Sequence, residues 1–321
     1  MKVKESVAEY AAVNGTAAAA KVFDITRESV RRAVRRANAA KLETAPTPEA
    51  FASTDAMLQK LQERFSPAEL HSLASGHSLA PSSLPKPNVS FDGEDITVLF
   101  VTDTHWGATH SPVHYWRSAL AEAEKQGCTM ILHAGDVLEG MSNRPDQVYG
   151  LTHLGWSAQM DHATNLLAES KIPIFTIDGN HDRYGIKSGG IFAVRDIAAR
   201  LPNVTFLGSD QGDIVINGTI WRLWHGEDGS SYATSYRLQK LVESWSGGTK
   251  AHVLLAGHVH KQAYIFERNV HCVSGGAMCQ QSPWMRSKRL SNHDGFHIIR
   301  ARIRDNQIIS FSPTWYAFYG H

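Results

Sequence analysis

Short apolar runs recur along the chain beyond residue 90, and each of them stops abruptly at polar residues. Apolar runs of about four to eight residues that end near glycine are typical of buried strands. Runs of this kind lie at residues 96–102, 130–134, 172–177, 220–224 and 252–256. The pattern therefore predicts buried strands at these five places.

Segments with helical spacing of apolar residues follow the first three predicted strands. They cover residues 113–126, 151–170 and 190–201. After the fifth strand the pattern changes to further short strands, at residues 262–267, 270–274, 296–304 and 307–312. Strands that alternate with helices and then continue as mostly β-structure indicate an α/β fold class.

Each of the five apolar runs ends at residue types that bind metal ions. The five ends are Asp103-Thr104-His105, Gly135-Asp136, Asp178-Gly179-Asn180-His181-Asp182, His225-Gly226 and Gly257-His258-Val259-His260. Sites in open α/β sheets gather at the carboxyl ends of strands, so these distant points can converge on one place. Carboxylates, imidazoles and one carboxamide, with no thiolate, suit a pair of divalent ions of intermediate hardness.

Each polar residue taken alone has an ordinary structural explanation. Asp103 could cap a helix or form a turn, and Asn180 after a glycine is common in turns. A single histidine after an apolar run is more often a hydrogen-bonded structural residue than a ligand. Together these explanations fail, because a hydrophobic core gives no reason to place so many polar side chains at strand ends.

The five motifs, in this order, resemble those of the calcineurin-like metallophosphoesterase family over residues 91–321. The resemblance implies a four-layer αββα sandwich of two mixed sheets. It also implies a metal-dependent hydrolase of phosphoric esters with two divalent ions, which are expected to activate a bridging hydroxide as the nucleophile. Manganese is the expected metal, with iron, zinc or nickel as alternatives.

The resemblance assigns a role to nine side chains of the motifs. One ion is expected on Asp103, His105 and His260, the other on Asn180, His225 and His258, and Asp136 is expected to bridge them. His181 is expected to donate a proton to the leaving oxygen, and Asp182 to orient the His181 ring.

A few polar residues near the motifs are further candidates. Glu139 could support the ligands, and His133 is interpreted as structural. Arg144 and Tyr232 lie on segments that leave strand ends, so they could hold a substrate phosphate or stack on a base. Ordinary loop packing explains these two residues equally well, and Lys261 has the same standing.

Residues 1–40 are predicted to form a small all-α module. One helix over residues 7–13 ends at Asn14-Gly15, and a second follows over residues 17–23. After a turn at Asp24, Thr26 is expected to cap a third helix. The apolar residues are spaced to pack two short helices across a tight turn, and they are Ala20, Phe23, Ile25, Val30, Ala33 and Val34. The module resembles a phage-type helix-turn-helix.

The third helix carries a basic face that lies away from these apolar residues. Its members are Arg27, Arg31, Arg32, Arg35 and Arg36. Arginine suits bidentate contacts with phosphate and guanine, so DNA is the expected partner. Two alternatives stay open: an ordinary solvated helix face, and a protein adaptor.

Residues 41–90 are predicted to form a connector, partly helical and then rich in proline and serine. The chain has 321 residues and a formal net charge of +1, which favours no class of partner. Its 3 cysteines include no Cys-x-x-Cys pair, so neither disulfides nor a zinc–thiolate site is expected. No run is long and apolar enough for a membrane span or signal peptide, so a cytoplasmic protein is expected.

Three functions remain open from the sequence. The preferred one is a phosphodiesterase or nuclease that acts on DNA and is delivered by the N-terminal module, as in metallophosphoesterases of bacteriophages, which the arrangement resembles. The second is a phosphatase or phosphodiesterase of small nucleotides or phosphoproteins, with the module as a protein adaptor. The third, a DNA-binding regulator without activity, is disfavoured because no motif residue is missing.

Overall fold

A computed structural model describes six stretches of the chain. They are residues 7–34, 87–91, 93–142, 147–227, 233–246 and 250–319. Arg35, Arg36, Arg144, Tyr232 and most of the predicted connector lie outside them. Among the described helices, none combines the length and the apolar content that crossing a membrane requires.

The N-terminal stretch is helical and turns sharply twice. Helix α1 (Val7–Val22) is interrupted at Gly15, whose φ of 82° and ψ of 159° are not helical. Asp24 adopts a left-handed φ of 51° in the turn that follows. Residues 27–34 form the described part of helix α2, and the Thr26 hydroxyl accepts a hydrogen bond from the Ser29 amide at 3.2 Å. The break, the turn and the cap agree with the sequence-based prediction.

A small apolar cluster joins these helices. Ala11, Ala19 and Val30 are buried, and Phe23 and Val34 are among the residues packed against them. Ile25 was expected in this cluster, but its side chain lies in the turn and is 37% exposed. The described arginines of the basic face, Arg27, Arg31 and Arg32, are exposed.

The remaining described residues form two mixed six-stranded sheets. The strands are β1 (Asn88–Val89), β2 (Asp95–Val101), β3 (Met130–His133), β4 (Ile174–Asp178), β5 (Val204–Ser209), β6 (Gln211–Ile216), β7 (Thr219–Trp224), β8 (Val253–Ala256), β9 (Gln262–Glu267), β10 (Val270–Gly275), β11 (Gly295–Arg304) and β12 (Gln307–Ala317). The first sheet has the order β1-β6-β7-β8-β10-β9, and the second has the order β12-β11-β2-β3-β4-β5.

Parallel pairing occurs where the motif-bearing strands meet. Strands β2, β3, β4 and β5 are parallel neighbours in the second sheet, and β7, β8 and β10 are parallel neighbours in the first. The helices are α3 (Val113–Lys125), α4 (Trp156–Ala168), α5 (Asn180–Gly189), α6 (Ala193–Ala198), α7 (Thr234–Ser244) and α8 (Pro283–Ser287).

Both faces of the motif-bearing strands are buried, which produces four layers. Phe100 of β2 packs between the sheets with Trp221 and Leu255 of the opposite sheet. Leu99, the next residue, points to the other face and packs with helix residues such as Trp116. On the outside of the first sheet, Leu238 of α7 and its neighbours cover Trp224, Leu254 and Val270. The predicted α/β sandwich of two mixed sheets is confirmed.

Several predicted boundaries were wrong. Strand β1 lies within the predicted connector and pairs in parallel with β6. The helix predicted over residues 151–170 begins only at Trp156, and that predicted over residues 190–201 is the six-residue α6. Helices α5 and α7 and strands β5 and β6 were not predicted. Gly190 ends α5 with a left-handed φ of 68°, so it cannot begin the next helix.

A buried histidine in β11 is expected to make the fold sensitive to acid. His297 stacks on Phe100 and packs against the tilted ring of Trp315, and within the described structure its Nδ1 has no hydrogen-bond partner. Burial lowers the pKa of His297 to about 3, whereas an unfolded chain takes up the proton near the ordinary histidine pKa of about 6.5. A depressed histidine pKa means that stability falls as pH falls below that value, by ~1.4 kcal/mol per pH unit.

Replacing His297 with leucine should remove this loss. Between about pH 7 and about pH 5, the free energy of unfolding should fall by roughly 2 kcal/mol less in His297→Leu than in the native protein. Urea unfolding in the presence of a chelator measures the difference. Parallel pH curves for the two proteins would contradict the assignment.

Candidate metal centre

The five motifs converge at one end of the sandwich. Motifs one to three follow β2, β3 and β4 of the second sheet, and motifs four and five follow β7 and β8 of the first. The backbone joins them across the sheets, because the His258 amide donates to the Asp103 carboxylate at 2.9 Å. Each predicted ion therefore takes ligands from both sheets.

The backbone turns sharply at most of the predicted ligands. Five of them have a left-handed φ between 47° and 75°, namely Asp103, His105, Asp136, His258 and His260. Such a conformation costs a non-glycine residue on the order of 1–3 kcal/mol, and it persists only where the surrounding structure enforces it. Residues with this strain cluster at functional sites, and here they bend the chain so that strand-end side chains point inward.

Two glycines of the motifs make room for the cluster. Gly135 has a left-handed φ of 88°, and a Cβ there would lie 2.9 Å from His225 Nδ1. A Cβ on Gly179 would lie 2.1 Å from Asp136 Oδ1. Any side chain at Gly179 would thus displace the carboxylate that is expected to bridge the ions.

The first group of expected ligands consists of Asp103, His105 and His260, and its two imidazole rings face each other through their Nε2 atoms. His105 Nε2 lies 3.2 Å from His260 Nε2. The Asp103 Oδ1 atom is 3.3 Å from His260 Nε2 and 3.8 Å from His105 Nε2. Two imidazoles and a carboxylate that point at one place fit a divalent cation.

The second group of expected ligands also brings imidazole nitrogens close to side-chain oxygens. His225 Nε2 lies 3.2 Å from Asp136 Oδ2 and 3.0 Å from Asn180 Oδ1. The ligand atoms of Asp136, His225 and His258 all lie within 4.8 Å of one another. Asp136 Oδ2 is also 3.7 Å from His105 Nε2, so this carboxylate lies between the two groups.

Hydrogen bonds at Nδ1 direct the opposite nitrogen of each ring inward. His105 donates to Glu139 Oε2 at 3.0 Å, His225 to the Ala134 carbonyl at 2.9 Å, and His260 to Asn292 Oδ1 at 2.6 Å. A proton on Nδ1 leaves the lone pair on Nε2, which is the atom a metal ion would bind.

Electrostatics also favour cations in the cluster. Burial raises the pKa values of Asp103 and Asp136, but the neighbouring imidazoles outweigh it and lower both below the usual range. Burial lowers the pKa of His225, yet the charge of Asp136 raises it to about 9. The two buried carboxylates therefore attract positive charge, which divalent ions would supply in place of protons.

His181 lies beside the cluster, but Asp182 does not orient it. The His181 Nδ1 donates to the Glu139 carbonyl at 2.8 Å. The Asp182 carboxylate instead accepts from the amides of Val137, Leu138 and Gly179 at 2.8–3.1 Å. The expected role of Asp182 was wrong: this residue ties the second motif to the third.

The centre includes side chains whose involvement the sequence patterns missed. Cys279 has its Sγ within 4.8 Å of ligand atoms of His105 and His260, although no thiolate was expected. Asn292, from the loop before β11, accepts from His260. No motif or spacing identifies either residue, because loops that are distant in sequence bring them to the strand ends.

Glu139 is expected to maintain metal affinity through His105. Burial raises the pKa of Glu139, but the His105 hydrogen bond and nearby imidazole charges lower it to about 2. Glu139→Ala should weaken metal binding by about 10–100-fold, because the His105 ring loses its anchor. Equilibrium dialysis with manganese measures this loss, and Glu169→Ala, which removes a glutamate paired with Arg117 at the surface, is the control. Equal affinity in both variants would show that His105 needs no support from Glu139.

The sequence of residues 96–289 matches the family model of the calcineurin-like phosphoesterase superfamily domain. The chain belongs to this family. A calcineurin-like phosphoesterase is a metal-dependent hydrolase of phosphoric esters, and the histidine and aspartate groups of this one fit divalent metal ions.

Three solved structures are similar to this calcineurin-like phosphoesterase. An archaeal phosphodiesterase is 14% identical and has a TM-score of 0.42, over 69% of this chain and 100% of its own. Yfce, a phosphoesterase from E. coli, is 14% identical with a TM-score of 0.37, over 68% and 98%. Vps29 of Entamoeba histolytica, complexed with Zn²⁺, is 14% identical with a TM-score of 0.37, over 70% and 100%. A search of curated proteins finds no match.

Proposed function

We propose that the chain is a dinuclear-metal phosphodiesterase that cleaves DNA, with His181 as the general acid. The observation that carries the two-ion proposal is Asp136, whose carboxylate lies between His105 and His225, 3.7 Å and 3.2 Å from their Nε2 atoms. One group is Asp103, His105 and His260, and the other is Asn180, His225 and His258. Manganese is the proposed metal, because these donors are oxygen and imidazole nitrogen.

The residues around the ions have separable tasks. Bound divalent ions supply Lewis acidity, which neutralises phosphoryl charge and lowers the pKa of water. The Glu139 carbonyl holds a proton on His181 Nδ1, so the imidazolium form of His181 would give up its second proton from Nε2 and return to the neutral ring. An alkoxide is a poor leaving group unless its oxygen is protonated. His181 Nε2 would supply that proton.

The N-terminal helices support DNA as the substrate. The turn between α1 and α2 joins two helices that share an apolar cluster, as in helix-turn-helix units. Arg27, Arg31 and Arg32 extend from α2 into solvent, and only Arg31 has a described ion pair, at 3.7 Å from Glu28. Exposed arginines on one helix suit phosphate contacts along a duplex.

A turnover panel tests the substrate class. Manganese-loaded protein would be assayed with single- and double-stranded DNA, cyclic nucleotides, and nitrophenyl monoesters and diesters. Cleavage of DNA and of the nitrophenyl diester, with weak monoester turnover, is the expected result. Turnover confined to monoesters or to cyclic nucleotides would replace this proposal with the small-nucleotide or phosphoprotein alternative.

DNA binding should depend on the arginines of the N-terminal module and on salt. Replacing Arg31, Arg32 and Arg35 with alanine should weaken duplex binding and reduce the slope of log affinity against log salt. Each lost phosphate contact should reduce that slope by about 0.9, because fewer condensed counterions are released. Fluorescence anisotropy over a salt series measures both quantities.

Two comparisons sharpen this test. Replacing exposed arginines of the catalytic domain, Arg117, Arg195 and Arg200, should leave the slope unchanged. Deleting residues 1–40 should weaken DNA association but preserve hydrolysis of the small diester, because every predicted ligand lies beyond residue 100. Binding that does not respond to salt would exclude phosphate contacts.

A further inference from the structure

Cys279 differs from the other cysteines of the chain in what surrounds it. Cys128 and Cys272 are buried in apolar core clusters, where a thiol behaves as a small hydrophobic side chain. Cys279 is also fully buried, but its Sγ lies within 4.8 Å of the ligand atoms of His105 and His260. Its neighbours therefore include His105 and His260, two of the proposed ligands of the first ion.

The backbone around Cys279 is held against the first motif on both sides. The Met278 amide donates to the Thr102 carbonyl at 3.0 Å. The Gln280 amide donates to the His110 carbonyl at 2.8 Å. These bonds attach the segment to the loop that begins at Asp103, so the position of the thiol is fixed relative to that motif.

A single side chain links Cys279 to the fifth motif. Asn292 Nδ2 donates to the Cys279 carbonyl at 2.8 Å, while Asn292 Oδ1 accepts from His260 Nδ1 at 2.6 Å. The carboxamide thus orients the His260 ring and the cysteine backbone together. Support of this kind, in which ligands are oriented by the same neighbouring groups, is characteristic of metal sites.

We propose that the Cys279 thiolate is a ligand of the ion that Asp103, His105 and His260 hold. Forming the metal–sulfur bond breaks the S–H bond, and the proton is released to solvent. The inference rests on the proposed metal centre, but it concerns the donor set of one position and not the reaction.

A thiolate would make the two metal positions chemically unequal. The first position would offer sulfur, oxygen and two imidazole nitrogens, a donor set that favours zinc, iron or cobalt over manganese. The second position, with Asp136, Asn180, His225 and His258, offers oxygen and nitrogen donors only, so with a thiolate at the first position the manganese proposed above would apply to the second position alone. The centre would then hold two different ions when several metals are present, with the softer one beside Cys279.

Cobalt substitution of the full-length protein tests the proposal by spectroscopy. The native protein, Cys279→Ala, Cys128→Ala and Cys272→Ala would each be loaded with Co²⁺, and bound ions counted by elemental analysis. The native protein and the two control variants should show a near-ultraviolet band from sulfur-to-cobalt charge transfer. Cys279→Ala should lose that band and keep the weaker visible bands of cobalt. A band that persists in Cys279→Ala, or that is absent from loaded native protein, would overturn the proposal.

X-ray absorption of zinc-loaded native protein gives a second measurement that requires no variant. A sulfur neighbour at about 2.3 Å, one for every two zinc ions, is expected. Zinc surrounded by nitrogen and oxygen alone would overturn the ligand assignment. The ion count separates the two proposals: one bound ion with a sulfur neighbour would reject only the dinuclear centre, and two ions without sulfur would reject only the role of Cys279.

Discussion

Replacement of Asp136 by alanine is expected to abolish metal binding and turnover together. Its Oδ2 lies 3.7 Å from His105 Nε2 and 3.2 Å from His225 Nε2, one imidazole of each expected group, and its Oδ1 accepts from the His181 amide at 2.9 Å. Without this charge, Asp103 is the only carboxylate left among the seven expected ligands, and one negative charge offsets two divalent ions poorly. Turnover should fall by at least about 10⁴-fold, a loss typical of removing a central member from a group of residues that act as a unit.

Ion content and turnover of the same Asp136→Ala sample measure the effect. The matched control is Asp161→Ala, which removes a surface aspartate paired with Arg200 at 3.0 Å. The control should retain its ions and its rate on the nitrophenyl diester. A variant at Asp136 that still bound two ions would show that the groups do not share this carboxylate.

Replacement of His181 by alanine is expected to have the second-largest effect while leaving the ions in place. The loss in turnover should be ~10²–10⁴-fold, the usual contribution of a general acid. The ring stands edge-on to His105, with centroids 4.6 Å apart, and its side chain is 17% exposed. By comparison, the His225 side chain has no exposed surface. His181 is thus accessible to a substrate, whereas the predicted ligand His225 is not.

The leaving group distinguishes a proton donor from a ligand. His181→Ala should lose most activity on diesters of poor leaving groups and less on the nitrophenyl diester, because nitrophenolate departs without protonation. His153→Ala, on the loop before α4, is the control. His181 also lies within 4.8 Å of ligand atoms of His105 and Asp136, so it has the geometry of a ligand. Loss of an ion, with an unchanged rate per bound ion, would assign it that role.

Much of the site could be predicted because its residues end strands. Apolar runs identify β2, β3, β4, β7 and β8 directly, and the ends of parallel strands meet at one edge of a sheet. The side chains of Asp103, Asp136 and His225 therefore lie close together, as predicted. What such patterns omit is the surrounding support: Cys279 and Asn292 come from loops, and the role of Asp182 depends on which backbone amides approach it.

Two helices that the sequence patterns did not predict, α5 and α7, show that local contacts are also needed to predict the fold. Helix α5 contains Gly185 and begins at Asn180, inside the third motif, so polar motif residues form its first turn and no apolar stripe marks it. It forms because the Asp182 carboxylate accepts a hydrogen bond from the Gly179 amide at the helix start. This is a local contact that no periodic pattern of apolar residues reveals. Helix α7 buries Leu238 and Val242 against the first sheet. Its sequence was not predicted as a helix, because the serine and tyrosine residues at its start are typical of a loop.

The distribution of ligands over both sheets makes metal occupancy part of the stability of the protein. His225 and His258 follow strands of one sheet, and Asp136 and Asn180 follow strands of the other, so an ion bound to them would connect the two halves of the sandwich. An ion that binds only the folded chain stabilises it by about 2.7 kcal/mol at a free concentration 100 times its dissociation constant. Supply of metal would therefore raise the free energy of unfolding of the chain, as well as allow it to hydrolyse an ester.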